Sequence, residues 1–144
     1  MMPEWKEGMP THENIIFNCF GGLSNTGIVA ALASMEAVKE VGLDKVAIGC
    51  LAGLPVGVPP VHGKTKAAKK IITVDGCPSE CSRKVVEEAG FKPTKSFVLA
   101  RDIGMKKKAL HEDIGKSLKP LMEYISQEDV EKAKNLIVDA LKEA

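Results

Sequence analysis

The chain has 144 residues, 44% of them hydrophobic, which suits one domain with a core of its own. With 20 basic and 19 acidic residues the formal net charge is +1, and aromatic residues make up only 4%, so neither a strong field nor stacking platforms favour nucleic acid. No apolar run approaches the ~20 residues of a membrane span.

Residues 1–13 read as a flexible N-terminal arm with two prolines and acids at Glu4 and Glu7. The arm lacks the apolar stretch of a signal peptide, so the expected compartment is the cytoplasm, where thiols stay reduced. Residues 14–144 read as one α/β domain. A first strand is expected over 14–19, and Ser24 or Asn25 caps a helix running to about Val41. That helix buries Ile28, Val29, Leu32, Met35, Ala37 and Val38 as a broad stripe. A second strand is expected over 45–51. The Gly- and Pro-rich stretch 52–63 reads as a loop, with a short helix near 61–69 made doubtful by Gly63. A third strand spans 70–75, and a helix from Pro78 to Ala89 follows, with Pro78 in its first turn. A fourth strand spans 95–100, and a short helix near 106–116 makes Lys106-Lys107-Lys108 a solvated face. The last helix, 127–142, has Ser126 as cap and Asp129 three residues on. Strands alternating with helices imply a single-domain three-layer fold around a mainly parallel sheet of about four strands, Rossmann- or flavodoxin-like, in the order 2-1-3-4.

The chain has four cysteines. Cys19, Cys50 and Cys77 each close an expected strand, and Cys81 falls in the first turn of the helix after Cys77. In a parallel sheet these positions meet at the carboxyl edge, where ligands bind. Neighbouring strands lie ~4.8 Å apart, and thiolates on one zinc are held at ~2.3 Å from it, so the four can serve one tetrahedral metal ion. Helix starts near Asn25 and Pro78 aim a partial positive charge at the same edge and favour thiolates. The expected ligands are therefore Cys19, Cys50, Cys77 and Cys81, with zinc as the metal or, with the same ligands, an iron–sulfur cluster. The bland reading is four buried small hydrophobes.

Two other chemistries stay open. Cys77 to Arg83 has the Cys-x5-Arg spacing of a cysteine phosphatase or arsenate reductase loop, with Cys77 as nucleophile and Arg83 as anion clamp. The loop lacks internal glycines, and Glu80 is unfavourable beside an anion. Cys77 and Cys81 also form a candidate redox pair, which leaves Cys19 and Cys50 unexplained. Asp75 is either a cap for the turn after its strand or a partner for the site; His62 is either a loop residue or a ligand. Arg101-Asp102 read as a surface pair or a helix cap. A closed four-cysteine zinc site holds no water for hydrolysis, so structural, sensing or metal-handling roles stand beside a cysteine enzyme.

Val74-Asp75-Gly76-Cys77-Pro78-Ser79-Glu80-Cys81, with Cys19 before Gly21-Gly22 and Cys50 at a strand end, resembles the DGC-domain family of small prokaryotic proteins. The resemblance covers about residues 13 to 142. It implies a metal site, zinc first, on the four cysteines, and it implies no substrate or reaction.

Overall fold

A computed structural model describes residues 4–143; residues 1–3 of the expected arm and residue 144 lie outside the described residues. Among the described residues the chain forms six α-helices and four strands. They are β1 (Asn14–Asn18), α1 (Asn25–Val41), β2 (Val46–Ile48), α2 (Gly53–Val56), α3 (Pro59–Ala67) and β3 (Lys70–Asp75), then α4 (Cys81–Glu88), β4 (Lys95–Val98), α5 (Leu99–Asp102) and α6 (Gln127–Lys142). The sheet is parallel throughout, in the order β2-β1-β3-β4.

Strand alternation divides the core into two layers. Ile16, Val46, Ile72 and Val74 pack with Val29, Ala30, Ala33 and Ala37 of α1 and with Val130, Ala133 and Ile137 of α6. On the opposite face, Ile15, Phe17 and Ile71 pack with Leu54 and with Val86 of α4. The stripe of α1 is as broad as expected but built from smaller residues: Ala30, Ala31, Ala33, Ser34 and Ala37 are buried, and Met35 is 47% exposed.

β2 and β4 end earlier than expected, at Ile48 and Val98, with α5 starting at Leu99, and three further segments differ from the sequence reading. The stretch 52–63 is helical over much of its length, as α2 and the start of α3. Pro59 and Pro60 open α3, where proline costs no hydrogen bond. Gly63 is tolerated in α3 because a side chain there would come within 2.2 Å of the Trp5 indole, which packs on it. The helix expected from Pro78 starts at Cys81. The helix expected over 106–116 is an extended stretch leading into a 3-10 turn at Leu110–Asp113, held by contacts described below. Among the described residues no helix is long and apolar enough to cross a membrane.

Candidate functional site

The crossovers of the sheet change direction between β1 and β3, the place where open parallel sheets bind ligands at the carboxyl ends of their strands. In the register Asn18 lies opposite Val74, so Cys19 leaves β1 beside the place where β3 ends at Asp75. Two glycine-mediated contacts lock the loops there. A Cβ on Gly27 would lie 1.8 Å from the Phe20 carbonyl oxygen, and one on Gly76 would lie 2.4 Å from the Thr26 carbonyl carbon. The first turn of α1 is thus pressed between the loop that carries Cys19 and the strand end that carries Cys77. The Gly21 N–H donates to Cys19 Sγ over 3.3 Å.

Asp75 binds the third cysteine into this arrangement. It is 2% exposed. Its carboxylate accepts from Ser82 N (2.8 Å) and Arg83 N (3.2 Å), the second and third residues of α4. Glu80 occupies the cap position in a left-handed conformation, φ 51°, with no side-chain cap of its own. Asp75 therefore satisfies the free N–H groups of α4 from across the turn, and this sets the helix start at Cys81 instead of Pro78. Leu23 (φ 65°) and Glu80 are the two non-glycine residues with positive φ among the described residues. One lies in the loop after Cys19 and the other between Cys77 and Cys81. Such strain costs about 1–3 kcal/mol per residue and gathers at functional sites.

The electrostatics agree with this proximity. Burial raises the Cys81 thiol above its ordinary pKa, and the charges of Cys19, Asp75 and Cys77 add to the effect. Burial acts upward on Cys77 as well, but the backbone N–H and hydroxyl of Ser79 and the charge of Lys107 outweigh it and bring the thiol below its ordinary value.

Lys107 reaches this edge because Asn25 grips the chain on either side of it. The Asn25 side chain donates to the Lys106 carbonyl (2.9 Å) and accepts from Lys108 N (2.7 Å), and Asn25 N donates to the Lys108 carbonyl (3.2 Å). Leu110 N donates to the Leu23 carbonyl. These bonds occupy the backbone groups that a helix over 106–116 would need. Sequence reasoning missed Lys107, Ser79 and Ser82; an Asn at a helix start with a lysine-rich run far downstream gives no local signal of this pairing.

Cys50 is set apart. It is exposed, at the end of β2, on a cavity of about 200 Å³ lined among others by His12, Ile15, Pro60, Val61 and Lys64. Among the described residues, no three His, Cys, Asp or Glu side chains are grouped so that they hold a metal ion as they stand. His62 sits on α3 with Nε2 on the Leu54 carbonyl (2.7 Å) and its ring facing Phe91, so its partners are not cysteines. Arg83 is gripped by Glu80 through two bonds of 3.0 Å and by Glu87 at 2.6 Å. Both carboxylates compete with any oxyanion for the guanidinium of the Cys-x5-Arg segment. Arg101 pairs with Asp102 (2.9 Å), and Asp102 accepts from Val98 N (2.8 Å), tying the end of α5 back to the end of β4.

The model of the DGC domain family matches residues 15–137, most of the chain. The chain belongs to the DGC domain family. No curated protein and no solved structure matches it. The tripeptide that gives the DGC domain its name has a separate structural task at each residue here. Asp75 caps α4, Gly76 admits the backbone of α1, and Cys77 brings a thiol to the switch in strand order.

Proposed function

We propose that this DGC domain binds a thiophilic metal ion, zinc first, with Cys19, Cys77 and Cys81 as the ligands that the geometry supports best. What supports the reading is that Cys19 follows β1 and Cys77 follows β3 at the β1–β3 switch point, and that Cys81 feels the charge of both others. Thiolate donors suit zinc, copper(I) and iron–sulfur clusters. The donor set fits the metal in a second respect. Ser82 Oγ is buried beside Cys81 with no hydrogen-bond partner, and metal-bound thiolates are acceptors for such second-sphere donors. Loading the site would draw the thiols together by rotation of short side chains among their staggered positions. Structural, sensing and metal-handling roles all follow from a site of this kind.

Elemental analysis with thiol titration tests it on protein purified without added metal. About one zinc per chain is expected, with Cys19, Cys77 and Cys81 protected from alkylation until the metal is chelated. Cys19→Ser or Cys81→Ser should lose the metal while the far-ultraviolet circular dichroism is retained. Freely reactive thiols in a metal-free folded protein sink the reading, and a visible absorbance band moves it to an iron–sulfur cluster.

A second reading, a thiol redox pair of Cys77 and Cys81, is favoured by the opposite displacement of their thiols and by the tight turn that Glu80 N closes on the Cys77 carbonyl (3.2 Å). Mass spectrometry of the metal-free protein after mild oxidation would find the Cys77–Cys81 disulfide if that reading holds.

A further inference from the structure

We infer that the cavity between the N-terminal arm and α3 binds a small aromatic zwitterion, a flat ring carrying an ammonium and a carboxylate as an aromatic amino acid does. None of the four cysteines lines this cavity, so the inference stands apart from the metal reading above.

One face of α3 forms the floor. Pro59, His62, Gly63, Lys66 and Ala67 recur at the spacing that puts side chains on one side of a helix, and all of them line a cavity of about 610 Å³. Small-molecule sites span roughly 300–1,000 Å³. The chain has one Trp, one Tyr and four Phe, and two of these few aromatic residues, Trp5 and Phe91, border this cavity. The indole of Trp5 rests on the bare backbone of Gly63. Phe91 is fixed by its N–H on the Val86 carbonyl (3.2 Å), and the His62 ring stands 5.9 Å from it at a tilt of 51°. Trp5, His62 and Phe91 are each half-buried, which leaves aromatic surface for a ligand ring to cover.

The polar groups set the charge of the ligand. His62 Nε2 lies 2.7 Å from the Leu54 carbonyl. A carbonyl only accepts, so Nε2 carries the hydrogen and the neutral ring keeps Nδ1 as an acceptor. Lys66 follows His62 by one turn on the same face of α3. From the arm, the turn that Met9 N closes on the Lys6 carbonyl (3.2 Å) brings Glu7 to the cavity. Among the described residues neither Lys66 nor Glu7 forms an ion pair, with the other or with any third group. A cation and an anion that border one cavity without meeting match a ligand that bears both charges. Its carboxylate pairs with Lys66, its ammonium donates to Glu7 and His62 Nδ1, and its ring covers Trp5 and Phe91. A ligand of single charge gains one partner and meets the other as a like charge.

L-phenylalanine is the probe, added to the full chain and followed by calorimetry and heteronuclear NMR. The single Trp gives one indole N–H resonance, which reports Trp5 directly. Saturable shifts of that resonance and of the His62, Lys66 and Phe91 amides are expected. Lys66→Gln and Glu7→Gln should each weaken binding about tenfold, the loss of one charge-assisted hydrogen bond. Phenylacetate and phenethylamine, which each lack one of the two charges, should also bind about tenfold more weakly than the probe. Lys69→Gln, outside the cavity lining, should leave the affinity unchanged. Gly63→Ala should displace the indole and abolish the response in a chain that stays folded by circular dichroism, since alanine suits a helix better than glycine. The absence of saturable shifts overturns the inference. So does an affinity for phenylacetate or phenethylamine equal to that for L-phenylalanine, and so does unchanged affinity in both Lys66→Gln and Glu7→Gln. A folded Gly63→Ala chain that binds as tightly as the unsubstituted one overturns it too.

Discussion

Asp75 performs two tasks that act on the thiols in opposite ways. As a cap it fixes the first turn of α4 and thereby places Cys81. As a buried charge it raises both Cys77 and Cys81, disfavouring the thiolates that a metal needs. Asp75→Ala leaves Ser82 N and Arg83 N without their acceptor and should cost about 1–2 kcal/mol, read as a shift in urea midpoint. The same substitution removes a negative neighbour. The alkylation profiles of Cys77 and Cys81 in metal-free protein should therefore move to lower pH, since a thiol relieved of a nearby carboxylate loses its proton more easily. In the unsubstituted protein Cys77 should react before Cys81 at neutral pH, although Cys81 is the more exposed of the two, because thiolate fraction sets the rate. Peptide mapping after brief iodoacetamide treatment reads that order.

At the scale of elements, backbone contacts between loops build the site. Gly76→Ala would force apart the end of β3 and the first turn of α1, where the approach leaves no room for a methyl. It should destabilise the fold by about 1–3 kcal/mol in chemical denaturation and weaken zinc with it, because the same contact sets Cys77 against Cys19. Caps were legible in the sequence: Ser24 accepts from Gly27 N and Ser126 from Asp129 N, and the helices begin there. What was not legible depended on remote partners. Gly53 and Gly63 read as helix breakers, yet Gly53 makes room for Val61 and Gly63 for Trp5. The run 106–116 carries a helical composition, but its backbone is claimed by Leu23 and Asn25, more than eighty positions earlier in the chain. Pro78 is a good first residue for a helix, and the carboxylate of Asp75 still moved the start to Cys81.

For the molecule as a whole, alternation of strands and helices was enough to give the three layers and the order β2-β1-β3-β4. It was also enough to bring Cys19 and Cys77 to one edge. It did not resolve Cys50, because β2 ends at Ile48, short of the 45–51 expected, and a turn closed by Gly53 N on the Cys50 carbonyl (3.0 Å) begins at the cysteine. The segment between α5 and α6 closes this edge of the fold, and a network on Asp113 holds it. Tyr124 donates to Asp113 (2.7 Å) and Lys108 pairs with it, which together lower its carboxyl below the ordinary value. A depressed carboxyl contributes stability above the unfolded-state pKa and loses it as pH falls through the folded one. Asp113→Asn should therefore lower the melting temperature at pH 7 and narrow the gap to the unsubstituted protein as the pH is brought down to about 3, where the carboxylate is being protonated in any case.

The indole of Trp5 resting on Gly63 has a practical consequence. It is the only tryptophan in the chain, and it lies on the same short helix whose Pro60, Val61 and Lys64 border the Cys50 cavity. Zinc itself has no colour, so its arrival goes unseen by ordinary absorbance. This fold carries an intrinsic fluorophore on the half of the molecule whose involvement is in question. Its emission distinguishes a metal that engages only the β1–β3 switch point from one that also pulls β2 and α3 inward, with no label attached and no residue changed.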